Sequence, residues 1–164
     1  MGQIGLRQLA PALVCLALAA CADPAGESQT GRTGAARVTR HTDGDTLWLS
    51  RVGKVRLIGI DTPEVFGESE CYGREAAAFL TRVAPLGREV RYRLGVEERD
   101  QYGRALAYVW LRDGRFLNRL LLLRGYGEPI AIPPNVAHAG EFERAAAAAR
   151  QAGRGLWGRR ACAQ

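Results

Sequence analysis

The feature that most constrains the fold of this chain is the alternation of apolar and polar residues from Arg88 to Leu94. Val90, Tyr92 and Leu94 share one side of this segment, and charged residues occupy the other. Successive side chains of a β-strand point to opposite faces of its sheet. The alternation therefore predicts a strand with one buried face, for which other parts of the chain must supply partners.

Strand and helix patterns fill most of the remaining chain. Four more predicted strands are Val38–His41, Thr46–Ser50, Lys54–Ile60 and Arg104–Arg112, and three predicted helices are Arg74–Val83, Phe116–Arg124 and Ala139–Ala152. The first two of these strands flank Asp43-Gly44, a dipeptide that favours a tight hairpin turn. Five short strands and three helices predict an α+β fold in which a small barrel carries attached helices.

Length and charge narrow the class of protein. A chain of 164 residues without repeats is long enough for one domain with a single core, and we expect a monomer. Its hydrophobic fraction of 47% and charged fraction of 24% are typical of a globular protein. The formal net charge of +6 favours an anionic partner, such as nucleic acid or an acidic membrane surface.

Residues 1–21 are predicted to be an export signal. Arg7 gives a basic start, and the apolar stretch Leu9–Ala20 is too short to span a bilayer comfortably. Residues 18–21 resemble, position by position, the bacterial lipoprotein signal, in which the chain is cut before a cysteine that then receives lipid. We therefore favour lipidation of Cys21 and a membrane-anchored protein facing the periplasm or the cell exterior. The alternative is an ordinary cleaved signal peptide and a secreted protein.

The next segment, residues 22–36, is rich in small and polar residues and is predicted to be a flexible linker. That leaves residues 37–160 as the folded domain. The domain and its short tail contain two cysteines, Cys71 and Cys162. In an oxidising compartment such a pair favours a disulfide, and two separate thiols are the alternative.

A constellation of charged residues carries the functional signal. Asp45, Arg56, Asp61 and Glu64 lie within about twenty residues of one another, and Arg104 follows later in the chain. Taken singly, each has a simpler explanation, such as a turn, a surface charge or a structural ion pair. Together they supply what phosphodiester hydrolysis needs: carboxylates for a hard divalent cation, a carboxylate to accept a proton from water, and guanidinium groups to bind phosphate.

These segments resemble the staphylococcal nuclease (thermonuclease-like) family, and the similarity runs from about Val38 to Trp157. The resemblance implies an OB-fold barrel of five strands with three α-helices, an architecture that often binds nucleic acids. It also implies Ca²⁺ as the cofactor and DNA and RNA as substrates. Water would attack the phosphorus, and the bond to the 5′ oxygen would break.

The resemblance implies roles for the acidic residues. Asp45 and Asp61 correspond to the carboxylate ligands of the cation, and the backbone carbonyl of Thr62 corresponds to a third protein ligand. Glu64 corresponds to the general base that takes a proton from the attacking water. Oxygen ligands of this kind suit calcium, and they could also accept manganese or magnesium.

The resemblance also implies a phosphate and nucleotide site. Arg56 and Arg104 correspond to the two arginines that grip the phosphate, and Tyr102 corresponds to a tyrosine near the phosphate of the bound nucleotide. The chain departs from the family where two tyrosines normally pack against the base, because Ile130 and Ile132 occupy those positions. We expect this change to alter affinity or base preference and to leave the hydrolytic chemistry in place.

The sequence therefore predicts an exported, calcium-dependent nuclease, a phosphodiesterase of the thermonuclease type. The alternative is a membrane-tethered module that binds nucleic acid or protein without catalysis. Degenerate members of the family usually lose acidic or arginine positions, and this chain keeps all of them. The nuclease hypothesis is therefore the stronger of the two.

Overall fold

The computed structural model describes residues 31–67, 70–158 and 161–162. Its strands are β1 Thr33–His41, β2 Thr46–Leu49, β3 Gly53–Leu57, β4 Ile60–Asp61, β5 Glu89–Arg99, β6 Ala105–Leu111 and β7 Glu128–Pro129. Its helices are α1 Gly73–Val83, α2 Leu117–Leu123 and α3 Ala139–Gln151, followed by a 3-10 turn at Gly155–Trp157. None of these described helices is long and apolar enough to cross a membrane.

Five of the strands close into a barrel in the order β1-β2-β3-β6-β5. Neighbouring strands run antiparallel except β3 and β6, which are parallel. The strands β4 and β7 form a separate two-stranded antiparallel sheet. The predicted α+β class, with a five-stranded barrel and three helices, is confirmed.

The alternation that predicts β5 places its apolar side chains in the barrel core. Val90 and Leu94 are buried there, and they pair with the buried residues Leu111 and Ala107 of β6. Buried apolar residues of all five barrel strands and all three helices belong to one continuous core cluster. Burial of apolar surface is the main force that favours this arrangement.

Helix α2 is joined to the barrel by one buried polar residue. Asn118 is fully buried, and its side-chain oxygen accepts a hydrogen bond from the Val109 N–H at 3.0 Å. Its amide nitrogen donates to the Ile58 carbonyl at 2.8 Å. Asn118 therefore pairs backbone groups that the end of β3 and the centre of β6 would otherwise leave buried without partners.

The predicted linker, residues 22–36, is wrong at its C-terminal end. Strand β1 begins at Thr33, and residues 33–37 pair with β5 to close the barrel. The small residues there serve packing, because a side chain at Gly34 would meet the ring of Tyr92. The folded domain thus begins before residue 37, the predicted boundary. Residues 1–21, including Cys21, and residues 22–30 lie outside the described residues.

The predicted strand Lys54–Ile60 is interrupted. Strand β3 ends at Leu57, and β4 starts at Ile60 after a turn at Gly59, whose φ is +80°. A side chain at Gly59 would overlap the Phe142 ring of α3, so glycine is needed here both for conformation and for space. The turn directs the chain out of the barrel and exposes Asp61 at its end.

A disulfide joins the segment before α1 to the end of the chain. Cys71 and Cys162 are bonded, with Cα atoms 5.7 Å apart, and they lie 91 positions apart in the sequence. The bond connects the loop after β4 to the segment that follows α3. The C-terminal segment is held again at Leu156, whose N–H donates to the Gly125 carbonyl at 2.9 Å.

Candidate active site

Asp45 lies at the centre of the site, at the start of β2 after the predicted hairpin turn. It is buried, and one carboxylate oxygen accepts hydrogen bonds from the backbone N–H and the hydroxyl of Thr62, both at 2.9 Å. Its other oxygen lies 3.1 Å from Nε of Arg56. The carboxylate therefore connects β2, β3 and the loop after β4.

Burial raises the pKa of Asp45 to about 6, although the attraction of the Arg56 guanidinium acts in the opposite direction. The negative charge of Asp43 adds to the increase. Asp43 also orients the turn, because its carboxylate accepts the N–H of Asp45 at 3.1 Å. Burial thus makes the charged form of Asp45 dependent on a nearby positive charge.

Arg56 bridges the two predicted ligand carboxylates. Its side chain, only 16% exposed, contacts Asp45 through Nε and a carboxylate oxygen of Asp61 through a terminal nitrogen at 2.7 Å. The other terminal nitrogen donates to the backbone carbonyls of Leu57 and Ile60. The turn between β3 and β4 thereby fixes the guanidinium in place.

The second predicted phosphate-binding arginine is held in a similar way. Arg104 lies just before β6, and its Nε is 2.6 Å from a carboxylate oxygen of Asp100. The parallel register of β3 and β6 aligns Arg56 with Leu106, two residues beyond Arg104. The two arginines therefore come from neighbouring strands of the barrel, although they are far apart in the sequence.

Arg56 and Arg104 line one cleft of about 340 Å³. Tyr102, which is largely exposed, lines the same cleft, and the Arg104 guanidinium lies 5.4 Å from the centre of its ring. Ile130 and Ile132 also line the cleft. The cleft thus offers two cations, an aromatic ring and an aliphatic surface, which suits a phosphate attached to a planar group.

Two further predicted residues lie beside this cleft. Asp61 and Thr62 line a neighbouring pocket of about 320 Å³, together with Glu70 and Glu128. Glu64 lies on the exposed loop that follows, and its carboxylate makes no hydrogen bond or ion pair to another residue within the described part of the chain. The structure thus joins Asp45, Asp61 and Thr62 to Arg56 through hydrogen bonds and ion pairs, and places Arg104 and Tyr102 in the cleft that Arg56 lines.

Three supporting residues escaped the sequence analysis. Asp43 and Asp100 each orient a site residue, and Asn135 joins two walls of the cleft through hydrogen bonds to the backbone N–H and carbonyl of Glu97, at 3.1 and 2.8 Å. The spacing of Asp100 and Arg104 was a usable signal, since acidic and basic residues that flank a tight turn can pair across it. The role of Asn135 depends on a long-range contact that local patterns do not indicate.

The donor set fits a hard divalent cation. The carboxylates of Asp45 and Asp61 contact the same guanidinium, that of Arg56. The backbone N–H of Thr62, whose carbonyl is the third predicted ligand, donates a hydrogen bond to Asp45. All three predicted ligand atoms are oxygens, which calcium and magnesium prefer. Within residues 31–67, 70–158 and 161–162, no group of three or more His, Cys, Asp or Glu side chains is arranged as a metal site. A cation here would therefore rely on the carbonyl and on water for its remaining ligands.

Comparison with known proteins identifies relatives over the same region. Residues 54–159, more than half of the chain, match the family described as Staphylococcal nuclease homologue. The match begins in β3, so it includes Arg56, Asp61, Thr62, Glu64 and Arg104 and begins after Asp45.

Individual relatives extend the similarity. The chain is 35% identical over 127 residues to the Thermonuclease of Staphylococcus hyicus, covering 74% of each chain. It is 37% identical over 128 residues to the Thermonuclease of Staphylococcus intermedius, covering 74% of this chain and 75% of the relative. It is also 31% identical over 134 residues to Endonuclease YhcR of Bacillus subtilis (strain 168), which covers 73% of this chain but 11% of that larger protein.

Proposed function

The chain belongs to the family of staphylococcal nuclease homologues, and from this premise we propose that it is an exported, calcium-dependent nuclease that hydrolyses phosphodiester bonds of DNA and RNA. One observation carries the proposal: Arg56 and Arg104 line one cleft, while Arg56 also contacts the carboxylates of Asp45 and Asp61. Phosphate-binding and cation-binding groups are therefore adjacent, as metal-assisted phosphodiester hydrolysis requires.

Arg56 and Arg104 bind the phosphate in this mechanism. Attack on phosphorus adds negative charge to its oxygens, and fixed positive charge aimed at those oxygens stabilises the transition state. Both guanidinium groups are oriented before substrate arrives, Arg56 by Asp61 and backbone carbonyls and Arg104 by Asp100. Little reorganisation is therefore needed when the phosphate binds.

Asp45, Asp61 and the backbone carbonyl of Thr62 would hold the calcium ion. When bound, the cation would neutralise charge on the phosphate and orient the attacking water. Asp45 is suited to this role because it is buried beside other acidic groups and benefits from a nearby positive charge. Thr62 fixes the orientation of that carboxylate through its N–H and hydroxyl.

Glu64 would accept the proton of the attacking water. Its carboxylate is on an exposed loop and is not engaged by another described residue, so it is available as a base. The new bond would form between the water oxygen and phosphorus, the bond from phosphorus to the 5′ oxygen would break, and the departing 5′ oxygen would take a proton from solvent to leave as a hydroxyl. Tyr102, which lines the same cleft, would donate a hydrogen bond from its hydroxyl to the bound nucleotide.

We also propose that the protein works outside the cytoplasm. Residues 1–21 carry the pattern of a lipoprotein signal, and Cys21 is the proposed site of lipid attachment. The disulfide between Cys71 and Cys162 is compatible with an oxidising compartment. Membrane anchorage at Cys21 would hold the nuclease at the periplasmic or outer face of a membrane.

A comparison of purified protein with its Glu64→Gln variant tests the proposal. Plasmid DNA and a single-stranded RNA are incubated with each protein, in calcium and in a chelator. We expect calcium-dependent degradation by the unmodified protein and a rate at least 10²-fold lower for the variant, as for loss of a general base. Calcium titration of the Asp45→Asn variant, which should need more of the ion, tests the ligand assignment separately.

Three outcomes would contradict parts of this proposal. Degradation that survives Glu64→Gln would remove Glu64 as the base. Degradation that survives the chelator would remove the metal from the mechanism. A folded protein that binds DNA and leaves it intact would favour the non-catalytic binding module.

A further inference from the structure

We propose that Glu70 is a positioning residue for Glu64, and that the Cys71–Cys162 disulfide acts through Glu70. The inference rests on the proposed function of Glu64 as the base. Glu64 lies on the exposed loop that follows Thr62 and Pro63, and contacts with residues 70–73 hold its backbone.

Two reciprocal hydrogen bonds join Glu70 to Glu64. The carboxylate of Glu70 accepts the backbone N–H of Glu64 at 3.0 Å, and the backbone N–H of Glu70 donates to the Glu64 carbonyl at 2.9 Å. These bonds close the loop across its base and fix both sides of the Glu64 Cα. The side chain of Glu64, in contrast, has no hydrogen-bond partner among the described residues, so these backbone contacts are what set the point from which its carboxylate can reach the substrate.

The start of α1 supports the same arrangement. The Gly73 N–H donates to the Glu70 carbonyl at 3.2 Å, which continues the connection from Glu64 into the helix. A side chain at Gly73 would meet the backbone carbonyl oxygens of Glu64 and Pro63, so the loop lies directly against the start of the helix. The loop is therefore held by backbone contacts with residues 70–73.

The disulfide is attached at the next residue. Cys71 is bonded to Cys162, so Glu70 and Gly73 flank a covalent link to the C-terminal segment. Leu156 of that segment lines the same pocket as Pro63 and Glu70. Because Cys71 is exposed and outside the core cluster, the bond can hold this loop without being required for the barrel itself.

Variants at Glu70 test the positioning role. Glu70→Ala should lower kcat about 10²-fold, as for a misplacement of about 1 Å, with little change in KM because the phosphate-binding arginines are untouched. Glu70→Gln keeps an oxygen that can accept the Glu64 N–H and should restore most of the rate. Glu143→Ala, an exposed position on α3, is the control and should behave as the unmodified protein.

A double-mutant cycle tests the role of the disulfide. The Cys71→Ser/Cys162→Ser variant should also lose kcat with KM retained, and adding Glu70→Ala to it should cause little further loss, because coupled residues are not additive. Near-UV circular dichroism of each variant checks that the barrel is folded. If the serine variant does not fold, the Glu70→Ala and Glu70→Gln pair still decides the positioning role.

Several results would overturn this inference. Full activity of Glu70→Ala would show that Glu64 needs no such support, and equal loss in Glu70→Gln would show that the hydrogen bond is not the cause. Losses that multiply in the double-mutant cycle would show that the disulfide acts independently of Glu70. An inactive unmodified protein would instead contradict the proposed function, so the two failures are distinct.

Discussion

Arg56 and Arg104 line the same cleft, but their surroundings differ, and so should the results of removing them. Arg56 contacts the buried carboxylate of Asp45, whereas Arg104 pairs with Asp100, which is only partly buried. In the absence of the metal ion, a buried carboxylate that loses its partner is costly because its charge is left uncompensated. Arg56 therefore has a structural role as well as a proposed role in phosphate binding, and Arg104 has mainly the latter.

We expect Arg56→Ala to lower the free energy of unfolding by about 3–5 kcal/mol as well as the rate of hydrolysis. Arg104→Ala should lower the rate about 10²–10³-fold and lower stability less than Arg56→Ala does, because Asp100 keeps the hydrogen bonds from the backbone N–H groups of Tyr102 and Arg104. Urea denaturation and initial rates on the same preparations measure both effects. Equal stability of the two variants would contradict the structural role of Arg56.

The contribution of Asp100 to the stability of the protein should depend on pH. Burial of Asp100 opposes its ionisation, but hydrogen bonds from the Arg104 side chain and backbone outweigh burial and lower its pKa. A carboxylate with a lowered folded-state pKa stabilises the protein above its unfolded pKa of about 3.9, and this stabilisation is lost as the pH falls through the folded value.

Asp100→Asn should therefore be less stable than the unmodified protein at neutral pH, and the difference should shrink below about pH 4. Urea denaturation of both proteins across this pH range measures the difference. Asp113→Asn is the matched control, since Asp113 pairs with Arg115 at an exposed turn, where solvent weakens the interaction. A pH-independent difference at Asp100 would contradict the assignment of the lowered pKa to its charge.

Some elements of this fold can be predicted from the local sequence and others cannot, and particular residues show the physical reason. Strand β5 was predicted from Arg88–Leu94 because alternation is a local property that burial of one face imposes. The start of β1 was missed because Gly34 and its small neighbours look like a linker, and only the contact of Gly34 with Tyr92 on the neighbouring strand β5 explains them. The break at Gly59 was missed because Phe142, which requires it, is distant in the sequence.

The residues of the site could be predicted because the sequence resembles the family. The contacts between those residues could not be predicted from local patterns or from their spacing. Parallel pairing of β3 with β6 joins Arg56 and Arg104 in one cleft, and nothing local in the sequence indicates that pairing. Supporting residues such as Asn135 contribute through a single long-range contact. Local sequence thus indicates the chemistry of a site more readily than the residues that hold it.

The loop before α3 gives a prediction at the scale of elements. Ile130 and Ile132 line the cleft from this loop, at the positions where the family resemblance led us to expect tyrosines. Replacing both with Tyr should tighten binding of a single-stranded oligonucleotide by about 1–3 kcal/mol per stacked base. Leu86→Tyr, at an exposed turn outside the cleft, is the control. Unchanged affinity in the double Tyr variant, measured by fluorescence anisotropy in calcium with an inactive Glu64→Gln background, would contradict a base-stacking role for these positions.

At the scale of the whole molecule, the disulfide and the barrel make separable contributions. The barrel core is continuous through all five barrel strands, and it does not include Cys71 or Cys162. The bond closes a long loop, and in the chain-entropy model such a bond restricts the unfolded chain by about 4–5 kcal/mol. Its main effect on stability should therefore appear in the unfolded state and not in the packing of the core.

The Cys71→Ser/Cys162→Ser variant should lose up to about 4–5 kcal/mol of unfolding free energy, while the tryptophan bands of its near-UV spectrum, to which Trp110 beside the core contributes and the disulfide does not, stay the same. Denaturation in urea measures the loss, and a larger dependence of the unfolding free energy on urea would indicate a more expanded unfolded chain. The Asn118→Ala variant is the opposite case, because it leaves the buried backbone groups of Val109 and Ile58 without partners and should disturb the native barrel. If the serine variant instead lost its near-UV signal under native conditions, the disulfide would be part of what holds the barrel, and its separation from the core would be wrong.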